Sequence, residues 1–196
     1  SGILYLDEMI IPQTSIGDIE LTKVEDYVRA IQKRETDEKI EITENLLNNL
    51  NIIKDGRITL GGLLFFAKHP QKYRPAFCVK AISFFGNSIG GTDYRSSKDI
   101  EGTIPEMFEE TMSFFTSNLN HIQDGQNFNK VGKLEIAQTA LEELLQNALV
   151  HRDYSKNSPV RVMIFDNRIE IVSPGALPNS LTIENLKMGN AVVRNN

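Results

Sequence analysis

The sequence has few of the residues that form disulfides or structural metal sites. Its 196 residues include a single cysteine, Cys78, so no disulfide can form within the chain, and a thiol in an apolar run is typical of a small buried residue. The histidines His69, His121 and His151 lie far apart and have no cysteine partners at zinc-ligand spacing. We therefore predict no structural zinc site and a reducing compartment, with a cytoplasmic location.

The sequence also lacks a long apolar run, a signal peptide and an excess of basic charge. No stretch approaches the roughly 20 apolar residues of a membrane span, and the N-terminus has no basic region followed by an apolar core. Lysine and arginine total 21 against 26 acidic residues, which gives a net charge of −5. We predict no membrane partner and no nucleic-acid binding over the whole surface, although a local basic patch remains open.

A Walker-type phosphate loop is missing as well. Gly90-Gly91 is not followed by the Gly-Lys-Ser/Thr that completes such a loop, which excludes helicase activity by this chain. The first residues are Ser1-Gly2 rather than methionine. We therefore expect the sequence to be a fragment of a longer protein.

The sequence does contain alternating helical and strand patterns, which predict an α+β fold. Tight-turn signals at Asp55-Gly56 and Asp166-Asn167 each join two short apolar segments, as in β-hairpins. Helices are predicted to begin at Thr22 and at Leu181 and to span 43–50, Gly61–Lys68 and 100–119, the last with an interruption near Pro105. Strands are predicted over 76–85, 160–165 and 168–172, and a loop over 85–97.

Composition and polar breaks divide the chain into three predicted parts. Residues 1–40 are interpreted as a tail or linker from a preceding domain, 41–125 as a middle α+β lobe, and 126–196 as a second lobe. Within the middle lobe, residues 43–69 combine a helix, a small hairpin and a helix, which resembles part of a winged-helix unit. Direct DNA reading by this segment and a purely structural role both remain open.

The helix that ends at residues 140–154 carries the candidate chemistry. Glu143 and Asn147 are four residues apart, so they lie one turn apart on the same helix face. A carboxylate and an amide in this arrangement can hold a water and a hydrated cation, although a solvated helix face has the same spacing. His151 lies one turn further on and either enters the same site or hydrogen-bonds Asp153 or Tyr154 at the helix end.

The motifs around this helix resemble a known family. They are Glu143-Leu-Leu-Gln-Asn147-Ala-Leu-Val-His151-Arg-Asp-Tyr154, Ile169-Glu-Ile-Val-Ser-Pro-Gly175-Ala-Leu-Pro178, the terminal Arg194-Asn195, and the upstream Asn51–Phe66 segment. Over residues 40–196 the sequence resembles RecG-related transcriptional regulators. In these proteins a Schlafen/AlbA-type domain precedes a C-terminal domain of the GHKL (Bergerat) ATPase superfamily.

The resemblance implies a role for each matching residue. Glu143 would polarise the attacking water as the catalytic group, and Asn147 would ligate Mg²⁺ between the phosphates of ATP. The adenine box Asp-x-Gly-x-Gly of GHKL ATPases corresponds to Val172–Ala176, which has no aspartate and keeps one glycine, Gly175. Gly175 would turn the chain under the nucleotide, and Ser173 would make a weaker or water-mediated contact. The remaining candidate nucleotide-binding residues are His151, the lid residues Gly189 and Asn190, and Arg194.

The resemblance also implies a fold and a function. It predicts a helical, winged-helix-like N-terminal lobe and a GHKL-like sandwich with helices packed on a mixed sheet, incomplete at the C-terminus. The predicted function is a transcriptional-regulator module that binds ATP and Mg²⁺, with weak ATPase activity left open. The alternatives are an interaction or dimerisation scaffold that has lost ATP, and direct DNA binding through 43–69. The predicted partners are DNA, reached through domains outside this chain, and a second copy in a homodimer.

Overall fold

The computed structural model describes residues 6–32, 40–89, 93–124, 131–175 and 179–182. The chain forms two compact units, residues 1–75 with 102–105 and residues 76–101 with 106–196. Both helices and strands are present, so the predicted α+β fold is confirmed. The predicted domain division at residues 40 and 125 stays a prediction. Every helix within the described ranges is too short or too polar to span a lipid bilayer.

The first unit contains three helices and a small hairpin. Its elements are α1 (Leu21–Gln32), α2 (Glu44–Asn49), β1 (Ile53–Lys54), β2 (Arg57–Ile58) and α3 (Leu60–Phe66). The predicted helix over 43–50 is confirmed as α2, and Thr43 caps its N-terminus by accepting a hydrogen bond from the Leu46 N–H at 3.2 Å. The predicted turn is also confirmed: Asp55 and Gly56 join the antiparallel strands with φ of 51° and 70°.

The start of α3 packs closely on the segment before β1. Thr59 is buried, donates to the Asn51 carbonyl at 2.6 Å and caps α3 by accepting from the Gly62 N–H at 3.0 Å. Gly62 leaves no room for a side chain, since a Cβ there would lie 2.2 Å from the Ile52 carbonyl oxygen. The neighbouring Gly61 has space, with its nearest contact at 3.4 Å from the Asp7 carbonyl oxygen.

We predict that Gly62→Ala destabilises the first unit by about 1–3 kcal/mol, because the added methyl group forces α3 away from Ile52. Gly61→Ala is the matched control and leaves stability unchanged or raises it by up to about 1 kcal/mol, since alanine is the better helix former. Urea unfolding followed by circular dichroism measures both variants. Equal stabilities for the two variants would contradict the close approach at Gly62.

The second unit is built on a five-stranded mixed sheet. Its strand order is β4-β3-β5-β6-β7, with β3 and β5 parallel and the other neighbours antiparallel. The predicted hairpin is confirmed as β5 and β6, and the predicted strand over 76–85 as β3. The elements of this unit are β3 (Val79–Phe84), β4 (Tyr94–Ile100), α4 (Ile104–Asp124), α5 (Val131–Val150), β5 (Val160–Ile164), β6 (Arg168–Val172) and β7 (Asn179–Thr182).

Helix α5 packs against β6, as the predicted helix-on-sheet arrangement requires. One face of the three central strands is apolar and buried because the side chains alternate along each strand. The buried strand residues are Val79, Ala81, Val160, Val162, Ile164, Ile169 and Ile171, and the buried residues of α5 are Leu141, Leu144, Leu145, Ala148 and Leu149.

Three sequence predictions in this unit are wrong. Residues 94–97 belong to the edge strand β4 rather than to a loop, because pairing with β3 stabilises a segment that is mostly polar. The long helix begins at Ile104, so Pro105 lies in its first turn, where no N–H partner is lost. Leu181 and Thr182 belong to β7 rather than to a helix, and residues 183–186 lie outside the described ranges.

Candidate functional site

The two central candidate residues lie on the side of α5 that does not face the sheet. Glu143 is exposed and Asn147 is half-buried, one turn further along the helix. His151 follows at the same spacing and is also exposed. Its backbone N–H donates to the backbone carbonyl of Asn147 at 3.0 Å. The structure therefore brings these three residues onto one stripe, at the end of α5 nearest the Ser173–Gly175 segment.

Two side chains close the last turn of α5. The carbonyl groups of a terminal helical turn have no partner within the helix. The Tyr154 hydroxyl donates to the Leu149 carbonyl at 2.6 Å, and the Ser173 hydroxyl donates to the Ala148 carbonyl at 2.8 Å. Ser173 is buried, so this contact fastens the end of β6 to the end of α5. Its predicted contact with a nucleotide stays a prediction.

Arg152 anchors the loop that follows the helix. Its guanidinium is buried, donates to the Lys156 and Ser158 carbonyls at 3.0 and 2.6 Å, and lies 4.5 Å from the Phe77 ring centroid and 5.2 Å from that of Tyr154. Desolvation lowers its pKa, although an arginine stays protonated in proteins. Phe77, which contributes one of the two rings, is distant in the sequence from Arg152, so no local pattern indicates this contact.

Asp153 and Gly175 are in direct contact. The Asp153 N–H donates to the Pro174 carbonyl at 2.8 Å. Gly175 has φ of +90°, and a Cβ there would lie 2.4 Å from the Asp153 Cβ. Only glycine meets both conditions without strain. Gly175 is therefore required by the fold at this position, whether or not it also approaches a nucleotide.

Ser155 holds one oxygen of the Asp153 carboxylate by two hydrogen bonds. Its Oδ1 accepts from the Ser155 hydroxyl at 2.5 Å and from the Ser155 N–H at 3.0 Å. The hydrogen bond from the Ser155 hydroxyl lowers the pKa of Asp153 most, and the one from the Ser155 N–H lowers it further. Its Oδ2 lies 3.8 Å from the Lys156 ammonium. The contact between Asp153 and Gly175 joins residues 22 positions apart, so the spacing of residues in the sequence does not reveal it.

The remaining candidate residues Gly189, Asn190 and Arg194 lie outside the described residues. Across the part of the chain that the structure describes, no group of three or more histidine, cysteine, aspartate or glutamate side chains is placed to hold a metal ion. Any Mg²⁺ at Asn147 would therefore need ligands from another source, such as the phosphates of a nucleotide.

Comparison with known proteins finds a match to an ATPase-like family at the C-terminal end of the chain. Residues 157–196, which include β5, β6 and β7, match the family described as "Putative ATP-dependent DNA helicase recG C-terminal". Over this C-terminal stretch the chain is similar to a RecG-related ATPase-like domain. Residues 4–80 match a domain family of unknown function, DUF8451. No curated protein matches the chain.

A solved structure shares the fold. The chain is 20% identical to the DIP2311 protein from Corynebacterium diphtheriae, with a TM-score of 0.56 over 96% of this chain and 30% of that one. This similarity supports the architecture alone. The chain spans under a third of the length of DIP2311. The ATPase-like match begins at residue 157, so Glu143, Asn147 and His151 precede it and Ser173 and Gly175 lie within it.

We predict that Tyr154 makes stability depend on pH above 10. Burial raises its pKa to about 12 from about 10 in the unfolded chain. The neutral phenol is favoured by the folded state, so its contribution is complete below pH 10 and is lost as the pH rises through 12. The loss reaches about 2 kcal/mol by pH 12.

Tyr154→Phe is the comparison. It lacks the hydrogen bond to Leu149 and is less stable than wild type by about 1 kcal/mol at pH 8. Because phenylalanine does not ionise, the variant becomes the more stable of the two near pH 12. Urea unfolding at pH 8, 10 and 12 measures the crossing. A constant difference between the two proteins at all three pH values would contradict the buried, hydrogen-bonded phenol.

Proposed function

We propose that this chain is a regulator module that binds ATP with Mg²⁺ on the outer side of α5. The proposal rests on two residues that lie one turn apart on α5, the exposed Glu143 and the half-buried Asn147. This helix packs against β6, which lies within the residues that match the ATPase-like family. The polar stripe is open to solvent, while the other side of the same helix is buried against the sheet.

Asn147 and Glu143, which would lie beside the phosphates of ATP, suit the proposed ligand. An amide oxygen is a hard ligand of the kind Mg²⁺ prefers, and Mg²⁺ needs few protein ligands because it keeps waters and binds the phosphates. Asn147 would supply that oxygen, and Glu143 would orient or deprotonate a water near the terminal phosphate. The bound Mg²⁺ would offset the phosphate charge.

The Ser173–Gly175 segment, where the adenine base would bind, supports a second candidate, an interaction scaffold that no longer binds ATP. The segment that the resemblance aligns with the adenine box has no aspartate, and the Ser173 hydroxyl in it donates to the Ala148 carbonyl. A site without that charged hydrogen bond would bind about 10- to 150-fold more weakly. The scaffold would keep the same fold and use it for contacts with a second copy or another protein.

In both cases we propose the regulatory role for the whole protein. This chain covers 30% of DIP2311, so DNA binding through domains outside the chain, and homodimer formation, are proposals for the whole protein. Direct DNA binding through residues 43–69 has little support from exposed charge. The exposed lysine and arginine residues of this segment are Lys54, Arg57 and Lys68, and three cations give a weak attraction for a phosphate backbone.

Isothermal titration of the 196-residue chain with ATP in the presence and absence of Mg²⁺ tests the proposal. We expect wild type to bind, and Asn147→Ala to lose most of the Mg²⁺-dependent part, by about tenfold or more. Glu143→Ala keeps binding but lowers any hydrolysis by about 10²- to 10⁴-fold.

Glu142→Ala is the matched control. Glu142 is the preceding residue of the same helix and accepts from the Gln138 side chain at 3.0 Å, so its loss should leave ATP binding unchanged. Circular dichroism establishes that each variant is folded. No heat of binding with wild type would remove the ATP proposal and leave the scaffold. Equal weakening by all three substitutions would argue against a specific role for Asn147.

A further inference from the structure

Strand β4 lies at one edge of the five-stranded sheet. Among the described residues its one neighbouring strand is β3. Four of its seven residues are exposed, namely Tyr94, Ser97, Lys98 and Asp99. An edge strand carries a row of backbone donors and acceptors with which another strand can pair.

The pairing of β3 determines which backbone groups of β4 point outward. The Val160 N–H of β5 donates to the Cys78 carbonyl at 3.1 Å, so every second residue from Cys78 onward directs its backbone groups toward β5, and the residues between them direct theirs toward β4. The β4 residues that pair with the second set are Ser96, Lys98 and Ile100. The N–H and carbonyl groups of Ser97 and Asp99 therefore point away from β3.

Nothing in the sequence of β4 blocks pairing along this outer side. The strand reads Tyr-Arg-Ser-Ser-Lys-Asp-Ile and contains neither proline nor glycine. The register between β3 and β4 shifts between Ser83 and Phe84, which places the irregularity at the Arg95 end. The outer edge is therefore regular from Ser96 to Ile100.

The sequence of β4 is complementary to itself in antiparallel pairing. Ser97 is the middle residue of the strand, so a two-fold axis at Ser97 lets two copies pair along the whole strand. The resulting cross-strand pairs are Tyr94 with Ile100, Arg95 with Asp99, and Ser96 with Lys98. An axis at Lys98 or at Asp99 would instead place like charges directly opposite each other, which is unfavourable.

Opposite charges would alternate across the two joined sheets. Within one chain Asp99 forms an ion pair with Lys80 at 2.7 Å, and Arg95 forms one with Asp166. Pairing at Ser97 sets Asp99 of one copy beside Arg95 of the other, so each row reads cation, anion, cation, anion. Two such rows form, because a two-fold axis repeats every contact.

We propose that β4 is a self-association edge, at which two copies of this chain pair their β4 strands antiparallel about Ser97 and join two sheets into one. This surface is the one through which the scaffold candidate would contact a second copy. It uses none of the residues proposed to bind ATP, so the two proposals are tested independently. A strand edge is a narrow contact, and we therefore expect a reversible dimer whose population rises with protein concentration.

Analytical ultracentrifugation of the 196-residue chain, up to about 1 mM, measures the dissociation constant of the dimer. Ser97→Pro removes one outward N–H from each copy and keeps every N–H that β3 uses, and proline is tolerated at such edge positions. Two hydrogen bonds across the axis are lost, so we expect dimerisation to weaken by about 5- to 150-fold. Ser97→Thr is the matched control, because it keeps the N–H and suits a strand, and it retains the wild-type dissociation constant.

Charge substitutions at the axis test the register. In Ser97→Lys and in Ser97→Asp each side chain meets its own copy, so like charges face each other and each variant alone dimerises more weakly than wild type. An equimolar mixture of the two brings opposite charges together. We expect the mixed dimer to be about 2- to 30-fold tighter than the dimer of either variant. Circular dichroism and urea unfolding establish that all variants are folded.

Three results would overturn the proposal. The first is a wild-type chain that sediments as a monomer up to about 1 mM, as expected if the edge takes a strand of another protein instead. The second is a folded Ser97→Pro variant with the wild-type dissociation constant. The third is a mixture of Ser97→Lys and Ser97→Asp that dimerises no more tightly than either variant alone. Titration with ATP reports on the nucleotide site separately, and its outcome leaves these results unchanged.

Discussion

The second unit depends on how the last turn of α5 satisfies its free carbonyl groups. A helix end that faces protein rather than water needs donors from neighbouring segments. Here Tyr154 reaches back to Leu149, and Ser173 crosses from β6 to Ala148. Both hydrogen bonds satisfy carbonyl groups at the end of α5, and the one from Ser173 also joins the helix to the sheet. The part of α5 that carries Asn147 therefore has a fixed position relative to the end of β6.

The packing around this helix end explains why a charged residue is buried there. Arg152 finds two carbonyl acceptors and two aromatic faces, from Phe77 and Tyr154, while its Nε has no hydrogen-bond partner within the described residues. Cation–π contact recovers part of the free energy that desolvation costs. A lysine could not reproduce the planar stacking and the two separate hydrogen bonds.

The amphipathic helix and the β5–β6 hairpin were predictable because their patterns are local. The polar edge strand β4 was not, since its stability comes from pairing with β3. The spacing of Glu143 and Asn147 predicted a shared stripe, and the structure places both on it. The roles of Ser173 and Asp153 depend on contacts 20 or more residues apart in the sequence, with Ala148 and Gly175, which no periodicity reveals.

We propose that ATP and Mg²⁺ bind on the outer side of α5, beside Asn147 and close to the Ser173–Gly175 segment. Hydrogen–deuterium exchange with and without saturating ATP and Mg²⁺ tests this most directly, with the amides of α1 as an internal reference. A nucleotide bound there would slow exchange in residues 147–155 and at Gly175. Unchanged exchange in both segments under conditions that saturate binding would contradict it.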